Sequence, residues 1–278
     1  MNEINQLTPE KLWTNKDTIK EFLAYELRTL IDSNSWMKEW EHIAQRFKLL
    51  QFQNFSQEEA LAFQWDTRRV EEIVEDTILQ VRQHITLDNV KVTIVPAIPF
   101  PWFKNFDRSI WTNGFTNSPN SIQIAIPPNP DEQFLRYLIA HELHHASPNN
   151  PIYELTLETF TLGDWYKMEG TAEYFSLNLY EDKRWWKKDF SRDLESEYWE
   201  KAKQEINTTD DTIKSQLCFG DSNKGIPQMF GYSFAHEMIK SYVKNNPISN
   251  YNALYFIDVL DFIEAYENNV SVSINNYE

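Results

Sequence analysis

The stretch LIAHELHHASPNN, residues 138–150, holds three of the chain's six histidines within five positions, with a glutamate directly after the first. Upstream, Asn129 reads as an N-cap, Pro130 as the first helical residue and Glu132 as the third, while Ser147 and Pro148 supply the stop. The quoted stretch therefore falls on the C-terminal half of a helix. Each helical residue advances about 100°, so His141 and His145 lie about 40° apart on one face, with Glu142 about 80° from their midpoint. Pairing His141 with His144 instead leaves Glu142 about 130° away, so only the four-apart pair gives the carboxylate a role.

That arrangement is His-Glu-x-x-His, in which two neutral imidazoles hold Zn²⁺ and the glutamate takes a proton from water. Two plainer or rival readings stand beside it. The histidines can simply face solvent, and Glu-x-x-His also serves di-iron bundles, of which Glu39, Trp40, Glu41 and His42 form a second copy. The di-iron reading needs carboxylates from two more helices, leaves His141 idle and fits poorly with strands before the motif. A catalytic zinc site needs a third protein ligand and an open position for water. The segment GDWYKMEGTAEYFSLNLY offers one: Asp164 reads as a cap, and Glu169 and Glu173 share a helix face, with Gly170 permitting close approach of another backbone. Glu169 is the natural ligand, and Glu173 suits the outer N–H of a ligand histidine. The plain alternative makes both surface carboxylates of an acidic protein.

The totals bound the rest. A chain of 278 residues with 41% apolar and 15% aromatic content supports a real core, as one large domain or two smaller ones. A net charge of −16 argues against a nucleic-acid partner. No run approaches a membrane span, the lone Cys218 makes no internal disulfide, and the N-terminus lacks the pattern of a signal peptide, so a cytoplasmic protein is expected. Thr8 with Pro9, and the capping box Ser56/Glu59, predict three helices before residue 87. Val90, Val92 and Ile94, then Ile122, Ile124 and Ile126, alternate as two half-buried strands, with the turn-rich NFDRSIWTNGFTNSPNS as a loop insertion between them. The expected fold is α+β: mostly helical, with a small antiparallel sheet before the histidine helix, residues 1–86 as a helical region packed on a catalytic unit of residues 87–278.

HELHHA and MEGTAEYF resemble the gluzincin metallopeptidases. Together with GYSFAHEMI they look most like the YjaZ-like family of bacterial predicted zinc-dependent proteases, over about residues 90–265. The resemblance implies a zincin-like fold, one Zn²⁺ per chain on His141, His145 and Glu169, Glu142 as general base, Glu173 behind the ligands, and a peptide or protein substrate. The gap from His145 to Glu169 exceeds thermolysin-type spacing, so a loop around Pro148 to Leu162 intervenes. Such enzymes offer the oxyanion a Tyr or His donor. Tyr232 is the expected one, against an ordinary core tyrosine, with His236 one turn on as a second substrate contact or a structural residue. Substrates of such enzymes pair along an edge strand, here expected to be Ser121 to Ile126. KRWWKK, residues 183–188, reads as a helix end and not a nucleic-acid or membrane patch, and Cys218 as an idle thiol. The competing function is a zinc-binding protein of the same fold that acts as a non-catalytic interaction or regulatory module.

Overall fold

The computed structural model describes residues 2–99, 106–156, 158–186 and 191–275. The chain forms two compact units, Met1–Tyr153 with Leu179–Trp185, and Glu154–Asn178 with Trp186–Glu278. Lys187 and Lys188 of the KRWWKK cluster lie outside the described residues.

The first unit is built on a four-stranded sheet, β1 (Glu3–Gln6), β2 (Lys91–Pro96), β3 (Asn113–Ser118) and β4 (Ser121–Ile126), in the order β1-β2-β4-β3. β1 and β4 both run parallel to β2, and only the β3–β4 hairpin is antiparallel. The sheet is thus mixed and mostly parallel, where an antiparallel one was expected. Parallel neighbours need long crossovers, and the chain supplies one: α1 (Pro9–Thr14), α2 (Ile19–Arg28), α3 (Trp40–Arg46), α4 (Gln57–Leu61) and α5 (Thr67–Val81) all separate β1 from β2.

Five helices replace the three expected, because the polar caps cut the run more often than its periodicity shows. Thr8 caps α1 with Pro9 at its first turn, as expected. The Ser56/Glu59 box also forms, but its helix lasts only to Leu61, and Asp66 then opens α5 by accepting from the Arg69 N–H. NGFTNS, read as loop, is strand β3. β4 is buried at all six positions and was expected to be half-buried. Its two faces meet different layers. Ala125, with Val95 of β2, joins the apolar cluster of the N-terminal helices, against which Phe115 of β3 packs. The opposite face carries Gly114 and Thr116, across from Ile124 and Ile122, toward α6 (Glu132–His145).

The second unit holds α7 (Leu162–Leu179), α8 (Arg192–Ala202), α9 (Asp211–Phe219), α10 (Phe230–Asn245) and α11 (Val259–Asn275). Aromatic rings fill its interior: Phe234 of α10 packs on Tyr166, Tyr198, Trp199 and Tyr266, with centroids 5.0 to 5.3 Å away. Among the described residues no helix is long and apolar enough to cross a membrane.

Candidate metal centre

Helix α6 starts two residues later than the Asn129–Pro130 signal suggests. Asp131 is the N-cap, its carboxylate accepting from the Phe134 N–H at 2.9 Å. Asn129 and Pro130 then both lie before the helix, Asn129 in a bend. The other end is pinned. The Ala146 carbonyl accepts from the Asn120 N–H at the β3–β4 turn (2.8 Å), the His145 carbonyl from the Tyr153 hydroxyl (3.1 Å), and Ser147 Oγ donates to the Thr86 carbonyl. The histidine turn is therefore clamped to the sheet.

His141, Glu142, His144 and His145 are all buried. The Nε2 atoms of His141 and His145 lie 3.0 Å apart, with their rings nearly perpendicular at 85°. Two imidazoles binding one tetrahedral zinc at about 2.0–2.1 Å place their nitrogens about 3.4 Å apart, so the pair fits a metal closely. Burial, together with His145 and His141, holds the His144 pKa well below its usual value, so this third ring stays neutral.

The base is held from the sheet. Thr116 Oγ1 lies 2.7 Å from Glu142 Oε2 as a donor, and 3.0 Å from the Glu142 backbone carbonyl. A Cβ added at Gly114 would collide with the same carboxylate. Glycine leaves the room the side chain occupies, and threonine orients it. Neither residue stands out in the sequence, because neither carries charge and both sit in a segment rich in turn formers.

Helix α7 carries the two downstream carboxylates. It begins at Leu162, so Asp164 is not its N-cap: Thr161 takes that place, its Oγ1 accepting from the Asp164 N–H while the Asp164 carboxylate accepts from the Thr161 N–H. Glu169 and Glu173 are buried at 7% and 0% exposure, which removes the reading of both as surface acids. Gly170 lets α7 touch α10, since a Cβ there would overlap the Ala235 backbone. Across that contact the Tyr232 hydroxyl donates to Glu169 Oε1 at 3.3 Å. Trp165 meets the Tyr232 ring edge-on at 4.9 Å, and Trp186 lies 6.1 Å from it. His236 turns elsewhere: its ring lies over Tyr174 and its Nδ1 is 3.5 Å from the Glu237 carboxylate. Burial, aided by the Glu169 carboxylate, raises the Cys218 thiol, which suits an inert side chain.

Among the described residues, His141, His145 and Glu169 are the three buried groups able to hold a metal ion, each offering one ligand atom within 4.8 Å of the others. Residues 70–264, well over half of the chain, match the family model described as Predicted Zn-dependent protease (DUF2268). The match begins inside α5, earlier than the motifs alone suggest, and leaves out α1 to α4. No curated protein and no solved structure matches the chain. On the strength of that match, the chain belongs to this family of predicted Zn-dependent proteases.

Proposed function

We propose that the protein is a zinc-dependent peptidase of gluzincin type, akin to the YjaZ-like proteases, with one Zn²⁺ on His141, His145 and Glu169. The observation that carries this is the buried group of two imidazoles and one carboxylate next to a glutamate fixed by Thr116. That donor set, two nitrogens and one oxygen with a fourth position left for water, suits a catalytic zinc. Zinc bound there supplies a Lewis acid and lowers the pKa of a water to about 7.

The remaining work belongs to the chain. Glu142 accepts a proton from the attacking water on its carboxylate and passes it to the leaving amine. Thr116 and Gly114 keep that carboxylate in one orientation, so little reorganisation accompanies the transfer. Glu173 orients a ligand imidazole from behind. Tyr232 is the proposed donor to the oxyanion; its hydroxyl is already held at the Glu169 carboxylate. The contacts of His236 with Tyr174 and Glu237 favour packing over substrate contact.

An extended peptide is the substrate class that fits a sheet edge beside the base. The order β1-β2-β4-β3 makes β4 internal, so the edge is β3 and not Ser121–Ile126. A buried, unpaired cysteine suits a reducing compartment, and we place the enzyme in the cytoplasm. The test is Glu142→Gln. The variant keeps its zinc and loses cleavage of a mixed peptide pool; full activity in Glu142→Gln contradicts the reading, and zinc without cleavage in the wild type favours a non-catalytic module.

A further inference from the structure

We propose that the segment Trp36–Met37 shuts the free edge of β3 next to the general base and so confines cleavage to the N-terminal end of a peptide, an inference that rests on the peptidase reading above. Alternate residues of a strand aim their backbone groups at opposite neighbours. In β4 the Asn120 and Ile126 carbonyls accept from Lys91 and Ala97 of the β2 segment, each at 2.8 Å. The even positions therefore face β2, and Ser121, Gln123 and Ala125 face β3. Their partners there are Ser118, Phe115 and Asn113. Gly114 and Thr116, lying between, turn their N–H and C=O groups outward. Among the described residues no backbone group beyond the sheet bonds to either. These same two residues flank the Glu142 carboxylate, so a peptide laid along this edge passes directly beside the base.

One residue further on, the edge is closed. β3 bulges between Thr116 and Ser118, and the Asn117 carbonyl accepts from the Trp36 N–H at 2.9 Å. The Asn117 side chain completes a clasp: Oδ1 accepts from the Met37 N–H at 2.7 Å and Nδ2 donates to the Met37 carbonyl at 3.1 Å. Asn117 is fully buried. The loop leading into the clasp is itself braced, with Ser35 Oγ accepting from the Asp32 N–H and Asp32 Oδ1 from the Asn34 N–H. A strand that would continue past Thr116 meets main chain already in place.

The antiparallel ladder is the more stable pairing, and a peptide in that sense runs against β3, its N-terminal side pointing at Trp36. With alternate residues paired, Gly114 and Thr116 engage about three substrate residues. Cleavage beside Glu142 then releases short N-terminal fragments, of about one to three residues by the same spacing.

The experiment gives zinc-loaded wild type a pool of synthetic peptides of mixed sequence and maps every cut by mass spectrometry. The expected map clusters within about three residues of the N-terminus. Asn117→Ala, or the milder Asn117→Asp, releases the clasp and moves cuts inward severalfold with zinc content unchanged. Cuts spread evenly along the peptides, or clustered at their C-termini, overturn the inference and leave the peptidase reading intact. An unmoved map in a folded Asn117→Asp overturns it as well. No cleavage by the zinc-loaded wild type sinks both. If the variants fail to fold, the wild-type map decides alone.

Discussion

The Thr116 hydroxyl donates a hydrogen bond to the Glu142 carboxylate across 26 residues of sequence, and a hydrogen bond to a charged group contributes about 1.5–3 kcal/mol. If that orientation serves the transition state, Thr116→Val lowers kcat about ten- to a hundredfold with zinc content unchanged, and Thr116→Ser recovers most of it. Steady-state kinetics beside metal analysis checks this; a Thr116→Val enzyme with wild-type kcat contradicts it. Gly114→Ala drives a methyl into the same carboxylate. Overpacking of that kind costs about 1–3 kcal/mol, so thermal melts should show a destabilised protein that is also less active than Thr116→Val. The contrast between these residues and the histidines shows what a sequence exposes. His141, Glu142 and His145 were legible because their relation is fixed by the period of one helix. Gly114 and Thr116 were not, because their role arises only where a strand crosses that helix.

At the level of elements, caps and close contacts decide the outcome. Asp131→Ala removes the N-cap of α6, a loss of about 1 kcal/mol, or about 2–4 °C in Tm for a domain of this size class; differential scanning calorimetry reads it, and Asn129→Ala should do far less. Gly170→Ala wedges α7 from α10, so zinc affinity should fall as Tyr232 leaves Glu169; an isothermal titration with unchanged affinity argues against that coupling. Helix existence, the first cap and the Ser56/Glu59 box were readable because their signals are local. Strand direction was not. Alternating apolar residues specify a face but not which neighbour runs alongside, and β1 is only four residues long. Gln123 and Ala125, alternating with the isoleucines, suggested a half-buried strand, yet both are buried and the Gln123 amide donates to Ser121 Oγ at 3.2 Å.

For the whole molecule, the net charge of −16 set expectations about partners, while the candidate metal group joins two histidines one helical turn apart to a glutamate 24 residues further on. A ligand that binds only the folded chain stabilises it by about 2.7 kcal/mol at a hundred times its Kd. Stripping zinc with a chelator should therefore lower Tm, and restoring zinc should raise it again. The same melts on a His141→Ala/His145→Ala double variant should show no response to chelator. The most direct measurement is metal content, by elemental mass spectrometry on protein purified without a metal-binding tag. About one zinc per chain is predicted for wild type and for Glu142→Gln, with most of it lost from Glu169→Ala. Wild type without zinc, wild type with two irons, or a Glu169→Ala variant that keeps its full zinc would contradict the site proposed for LIAHELHHASPNN and its distant glutamate.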